Sequence, residues 1–63
     1  MISFSRMTKF EWENLALTEL IRKFDYDKTK SLDENIENFI LVNSIENPDY
    51  ETIKKIFELN KDI

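Results

Sequence analysis

The chain has 63 residues, 13 acids against 9 bases for a net charge of −4, and no Gly, Cys or His. That length suits one domain, spanning 1–63, and the missing residue types exclude an imidazole base, a thiolate nucleophile, the usual zinc ligands and a glycine-built phosphate loop. An enzyme is not expected, no cofactor is implied, and the acidic balance argues against direct contact with nucleic acid or an anionic membrane surface.

The first segment, Met1-Ile2-Ser3-Phe4-Ser5-Arg6-Met7, lacks the apolar run and small-residue site of a signal peptide and reads as short and extended. No later stretch approaches a transmembrane length, and the absence of Cys fits a reducing compartment, so a cytoplasmic protein is expected. Thr8-Lys9-Phe10-Glu11 is a capping box, with Met7 and Trp12 placed as its hydrophobic staple. Phe10, Leu17, Ile21 and Phe24 then recur at helical spacing, which predicts a first helix over 9–24.

Residues 25–30 are polar and read as a loop. The string Phe24-Asp25-Tyr26-Asp27-Lys28-Thr29-Lys30-Ser31-Leu32-Asp33 resembles the calcium loop of EF-hand proteins. Asp25, Asp27, Thr29, Ser31 and Asp33 stand where loop positions 1, 3, 5, 7 and 9 supply oxygens in that family. Two departures matter: Lys30 sits at the position of the turn glycine, and Ile36 at that of the bidentate glutamate. The other reading is a polar linker whose Ser31 and Glu34 form a second capping box.

Leu32, Ile36, Phe39, Ile40 and Asn43 share one face of the second helix, expected over 32–45. Asn47-Pro48-Asp49 supplies a cap, a first-turn proline and an acid for a third helix over 48–60, whose apolar stripe is Tyr50, Ile53, Ile56 and Phe57. The fold expected is all-α, a small three-helix bundle.

Charge is unevenly placed. Residues 31–53 contain Asp33, Glu34, Glu37, Glu46, Asp49 and Glu51 with no Lys or Arg, while the rest of the chain is nearly balanced. Helical projection sends Leu41 and Ile45 to the outer side of the second helix, among Glu34, Glu37 and Asn38. Acids around exposed apolar residues, with Tyr50 close in sequence, are the anatomy of a protein-binding patch. The alternative is that Leu41 and Ile45 cover the end of a neighbouring element. The patch residues are Asp33, Glu34, Glu37, Leu41, Ile45, Asp49 and Tyr50, and the partner they imply is a protein with a basic surface.

A second surface, Ile2, Phe4, Trp12 and Leu15, is either covered by the folded-back N-terminal segment or a homodimer contact. The carboxylate pairs Asp25/Asp27 and Glu11/Glu13 are expected to be ordinary surface charge. In size, acidity and helical build the chain is similar to bacteriocin immunity proteins and to small host-takeover or anti-defence proteins of phages. That likeness implies a non-enzymatic inhibitor or regulator, with a homodimeric module or a degenerate calcium-loop protein as alternatives.

Overall fold

In a computed structural model, in which residues 7–60 are described, the chain forms α1 (Lys9–Glu13), α2 (Leu15–Lys23), α3 (Leu32–Val42) and α4 (Tyr50–Asn60). Helices are the only regular elements among the described residues. The expected extended segment, with Ile2 and Phe4, lies outside them.

The first expected helix is two helices with an elbow at Asn14. Thr8 caps α1 as its sequence predicts: its hydroxyl accepts from the Glu11 amide at 3.2 Å, and the Glu11 carboxylate accepts from the Thr8 amide at 2.9 Å. At Asn14 the backbone leaves helical geometry, at φ −120° and ψ 45°. The Asn14 amide still reaches the carbonyls of Phe10 and Glu11, and the Thr18 amide that of Asn14, and two side chains add further bonds to these carbonyls at the bend. Asn14 Nδ2 donates to the Phe10 carbonyl at 3.0 Å. The Thr18 hydroxyl donates to the carbonyls of Glu11 and Asn14, at 3.1 and 3.0 Å. Side chains that compete for backbone partners in this way bend helices.

Ser31 caps α3, its hydroxyl accepting from the Glu34 amide at 3.2 Å and donating to the Glu34 carboxylate at 3.3 Å. The carboxylate thus returns to the hydroxyl, where a full box would return to the backbone amide. α3 ends at Val42, short of the expected 45, in a Schellman closure. The Ser44 amide donates to the Leu41 carbonyl and the Ile45 amide to the Ile40 carbonyl, both at 3.1 Å. Ser44 takes the left-handed position of that closure, φ 51°, which glycine usually fills. The cap of α4 is Asp49 rather than Asn47. Its carboxylate accepts from the Thr52 amide at 3.3 Å and the Thr52 hydroxyl at 2.7 Å, so the helix opens at Tyr50 and not at 48. Asn47 stands before Pro48 at φ 50° and turns the chain instead.

The buried core is Ile21, Ile36, Phe39, Ile53, Ile56 and Phe57, with Phe10, Leu17, Phe24, Leu32 and Ile40 packed against it. α4 contributes three of these and packs against both α2 and α3, while α1 rests on α2. Phe24, Phe39 and Phe57 form a triangle of edge-to-face contacts, with ring centroids 5.4 to 5.9 Å apart. Each such pair contributes about 1 kcal/mol beyond the area it buries. Lys55 lies over the Phe10 ring at 4.4 Å and joins α4 to α1.

Candidate functional site

Burial along α3 separates two sides of the helix. Asn35, Ile36 and Phe39 face inward and are buried, while Glu34, Glu37, Asn38, Leu41 and Val42 are exposed. Leu41 is 76% exposed and Val42 67%, the highest values among the large apolar side chains of the described residues. Asp33, Glu34 and Glu37 have no ion-pair partner among the described residues. The outer side is therefore acidic toward the first turn of α3 and apolar at the last. About 12 Å of helix axis separates Asp33 from Leu41.

The connection over 43–49 carries the chain back along α3, so that Tyr50 sits beside the first turn and not beside Val42. The Tyr50 hydroxyl donates to the Asp33 carbonyl at 3.4 Å. Partial desolvation, and then the nearby charges of Asp33 and Glu37, hold its phenol above the ordinary tyrosine range. Tyr50 thus joins Asp33, Glu34 and Glu37 at the acidic end.

Two of the candidate residues serve the fold. Ile45 lies past the end of α3 and packs against the core, because the Schellman closure turns it inward with Ile40. Val42, one residue beyond Leu41, is the second exposed apolar side chain at the end of α3. Asp49 is committed to the α4 cap, and bonds from the Thr52 hydroxyl and amide hold its carboxyl below the usual range.

The loop over 25–31 is organised around one buried amide. Asn35, 1% exposed, accepts from the Asp27 amide at 2.8 Å and donates to the carbonyls of Asp27 and Ser31 at 3.0 and 2.9 Å. A longer contact reaches the Lys30 carbonyl at 3.4 Å. The Asp27 carboxylate turns into its own loop, accepting from the Thr29 hydroxyl and amide at 2.6 and 2.9 Å, with Lys30 4.0 Å away. Those bonds hold its carboxyl below the ordinary value. Among the described residues no group of three His, Cys, Asp or Glu converges as a metal site. Sequence offered one signal for Asn35: an amide on the apolar face of a helix needs buried partners.

Glu11 corrects an expectation. It is 2% exposed, not a surface charge. Its carboxylate accepts from Asn60 Nδ2 at 2.9 Å and lies 3.6 Å from the Arg22 guanidinium, while Arg22 Nε donates to Asn60 Oδ1 at 3.0 Å. Burial pushes the carboxyl up, but hydrogen bonds from Thr8 and Asn60 and the charge of Arg22 outweigh it and hold the group below its usual range. This cluster locks α1, α2 and α4 together. Separations of 38 and 49 residues hide it from any local sequence pattern.

Comparison with protein-family models, with curated proteins and with solved structures finds no match. No helix among the described residues is long and apolar enough to cross a membrane.

Proposed function

We propose that this chain is a non-enzymatic binding domain that covers a basic surface of a partner protein with the outer side of α3. The observation that carries the reading is the exposure of Leu41 and Val42 at the end of a helix whose acids have no basic partner among the described residues. Adjacent exposed apolar side chains at the end of a helix contribute little to the fold, and a partner that buries them is the role that supports this reading. Asp33, Glu34 and Glu37 stand as phosphates stand on a nucleic acid. They steer a basic protein toward the site and supply specificity, while Leu41, Val42 and Tyr50 supply the area that excludes water. A nuclease, nucleic-acid-binding or transcription protein presents such a basic surface, and covering it inhibits by occlusion. The likeness in size, acidity and helical build to immunity and phage regulatory proteins agrees with that role.

The test is capture from native cells on the immobilised protein, in parallel with the charge-reversed pair Glu34→Lys and Glu37→Lys, followed by calorimetric titration of what is recovered. A basic protein bound in the nanomolar to micromolar range, released by salt and lost on charge reversal, is the expected result. Leu41→Asp should cost about tenfold in affinity, or about 1.4 kcal/mol. Binding that ignores both salt and charge reversal would overturn the reading.

A further inference from the structure

The exposed residues of α3 are ordered along the helix as well as around it. At about 100° per residue, Glu34, Glu37, Asn38 and Leu41 form one row at i, i+3, i+4, i+7 spacing, centred opposite buried Ile36 and Phe39. The row is straight and about 10 Å long, two turns of helix. Charge changes in one direction along it, from acids at the first turns to Leu41 and Val42 at the last. Asp33 and Glu34 lie in the first turn, where the helix dipole favours acids, but Glu37 lies a turn further on, beyond that effect. The last turn has no base to meet the negative end of the dipole.

A segment that matches this row carries bases opposite Glu34 and Glu37 and an apolar side chain opposite Leu41. A convex, straight row of helical spacing seats in the groove between the rows of another helix. Of the two directions open to such a helix, one agrees with its own electrostatics. Antiparallel to α3, it has its bases in its last turns, where its dipole favours them, and brings its positive N-terminus to the base-free end of α3. Parallel, it has its bases at its N-terminus, where they are disfavoured, and sets the two dipoles side by side. A second copy of α3 fits neither way. Parallel pairing sets acids against acids, and antiparallel pairing sets Glu34 and Glu37 over Leu41 and Val42 with no cation.

Resting on the reading of α3 as the binding side, we propose that its partner docks the C-terminal turns of a basic amphipathic helix antiparallel along α3. The pattern recognised is an apolar residue followed, one and two turns later on the same face, by Lys or Arg.

The probe is a capped, alanine-based peptide of about 18 residues, long enough to be helical in water, with leucine ahead of two arginines at that spacing. A second peptide of the same composition has the arginines first, and a third carries proline between leucine and arginine. Each is titrated into the isotope-labelled protein and followed by amide NMR, with circular dichroism as the check on peptide helicity and protein folding. The expected result is a set of shifts centred on α3 and Tyr50, with the leucine-first peptide bound about fivefold tighter than the arginine-first one. Proline should abolish binding. Glu34→Lys with Glu37→Lys should weaken it about tenfold or more, and Leu41→Asp likewise. A nitroxide at the C-terminus of the peptide should broaden the amides of Asp33 and Glu34 before those of Leu41 and Val42. Equal binding of the two orders, or broadening at Val42 first, overturns the antiparallel docking. Binding that survives the proline overturns the helical partner, and no shift in α3 up to millimolar peptide overturns the whole proposal. The reading of α3 as the binding side falls on a different result, capture from native cells that ignores salt and charge reversal.

Discussion

Two buried polar side chains close the molecule at different places, and they do so by different means. Glu11 is charged and reaches elements far away in sequence, binding Asn60 and Arg22 on α4 and α2. Asn35 is neutral and binds only the loop that precedes its own helix. Both are fully engaged, and no buried side-chain nitrogen or oxygen among the described residues lacks a partner. The contrast shows how a chain without glycine or disulfides fixes irregular backbone. A local loop is held by an amide that both donates and accepts, whereas helices from opposite ends of the chain are joined by a charge. The first device should ignore pH, and the second should not.

The largest effect that breaks the comparison is Asn35→Leu. Leucine fits a helix and a core, so the loss reports the hydrogen bonds alone. The Asp27 amide loses its partner, at about 1–3 kcal/mol when left buried, and the carbonyls of Asp27 and Ser31 keep the backbone bonds from Lys30 and residue 35 but each lose a second bond, at about 0.5–1.5 kcal/mol. Water reaches part of this loop, which lowers the total to about 3 kcal/mol. For a domain of this size that is much of the stability available. Urea denaturation should show a large drop in midpoint, and a loss below about 1 kcal/mol would mean that the loop holds itself.

Glu11→Gln comes next, at about 2 kcal/mol, since the amide keeps an acceptor but removes the charge that stands 3.6 Å from the Arg22 guanidinium. Its sharper signature is in acid. A carboxyl held below its unfolded value stabilises the fold fully above that value, about 4.3, and the contribution is lost as pH falls through the lower folded value. Wild type should therefore lose stability steeply below about pH 4, with Asp27 and Asp49 adding to the slope in the same direction. Glu11→Gln should flatten that limb in part. Asn35→Leu should lower the whole curve and leave the Glu11 part of its acid slope in place. Parallel acid limbs for wild type and Glu11→Gln would refute the assignment of Glu11 as the charged tie.

What was legible in the sequence follows the range of each interaction. The caps at Thr8 and Ser31 and the apolar stripes of three helical segments are encoded within three or four residues, and they gave both the all-α class and most of the core. The elbow at Asn14 was hidden because Phe10, Leu17, Ile21 and Phe24 keep helical spacing straight through it, while the side chains of Asn14 and Thr18 bond to the carbonyls of Phe10, Glu11 and Asn14 at the bend. Helix ends were misplaced where the stop signal was a left-handed Ser44 in place of glycine. In the candidate site, Glu34, Glu37 and Leu41 follow from projection alone. Tyr50 beside Asp33 also emerged, but through a connection that doubles back and that no pattern specifies. Ile45 failed for the reason that the helix did: a projection extended past Val42 assigns a face to a residue that has left the helix.

The smallest prediction concerns that same ending, which neither polar hub touches. Ser44 holds φ 51° with a Cβ present, a conformation that costs a non-glycine residue about 1 kcal/mol. Ser44→Gly removes that cost, but it also frees the unfolded chain, which returns about half of the gain. The net expectation is a stabilisation of about 0.5 kcal/mol, seen as a small rise in melting temperature with the acid slope unchanged. Ser44→Val, branched at Cβ, should move the other way by about 1 kcal/mol or more. Asn47 provides the control within the same connection. It holds φ 50°, yet asparagine tolerates the left-handed region far better than serine, so Asn47→Gly should gain less than Ser44→Gly. If the two glycine variants rank the other way, the connection is held at Asn47 and not by the Schellman closure at Ser44. The inward turn of Ile45 would then need another cause.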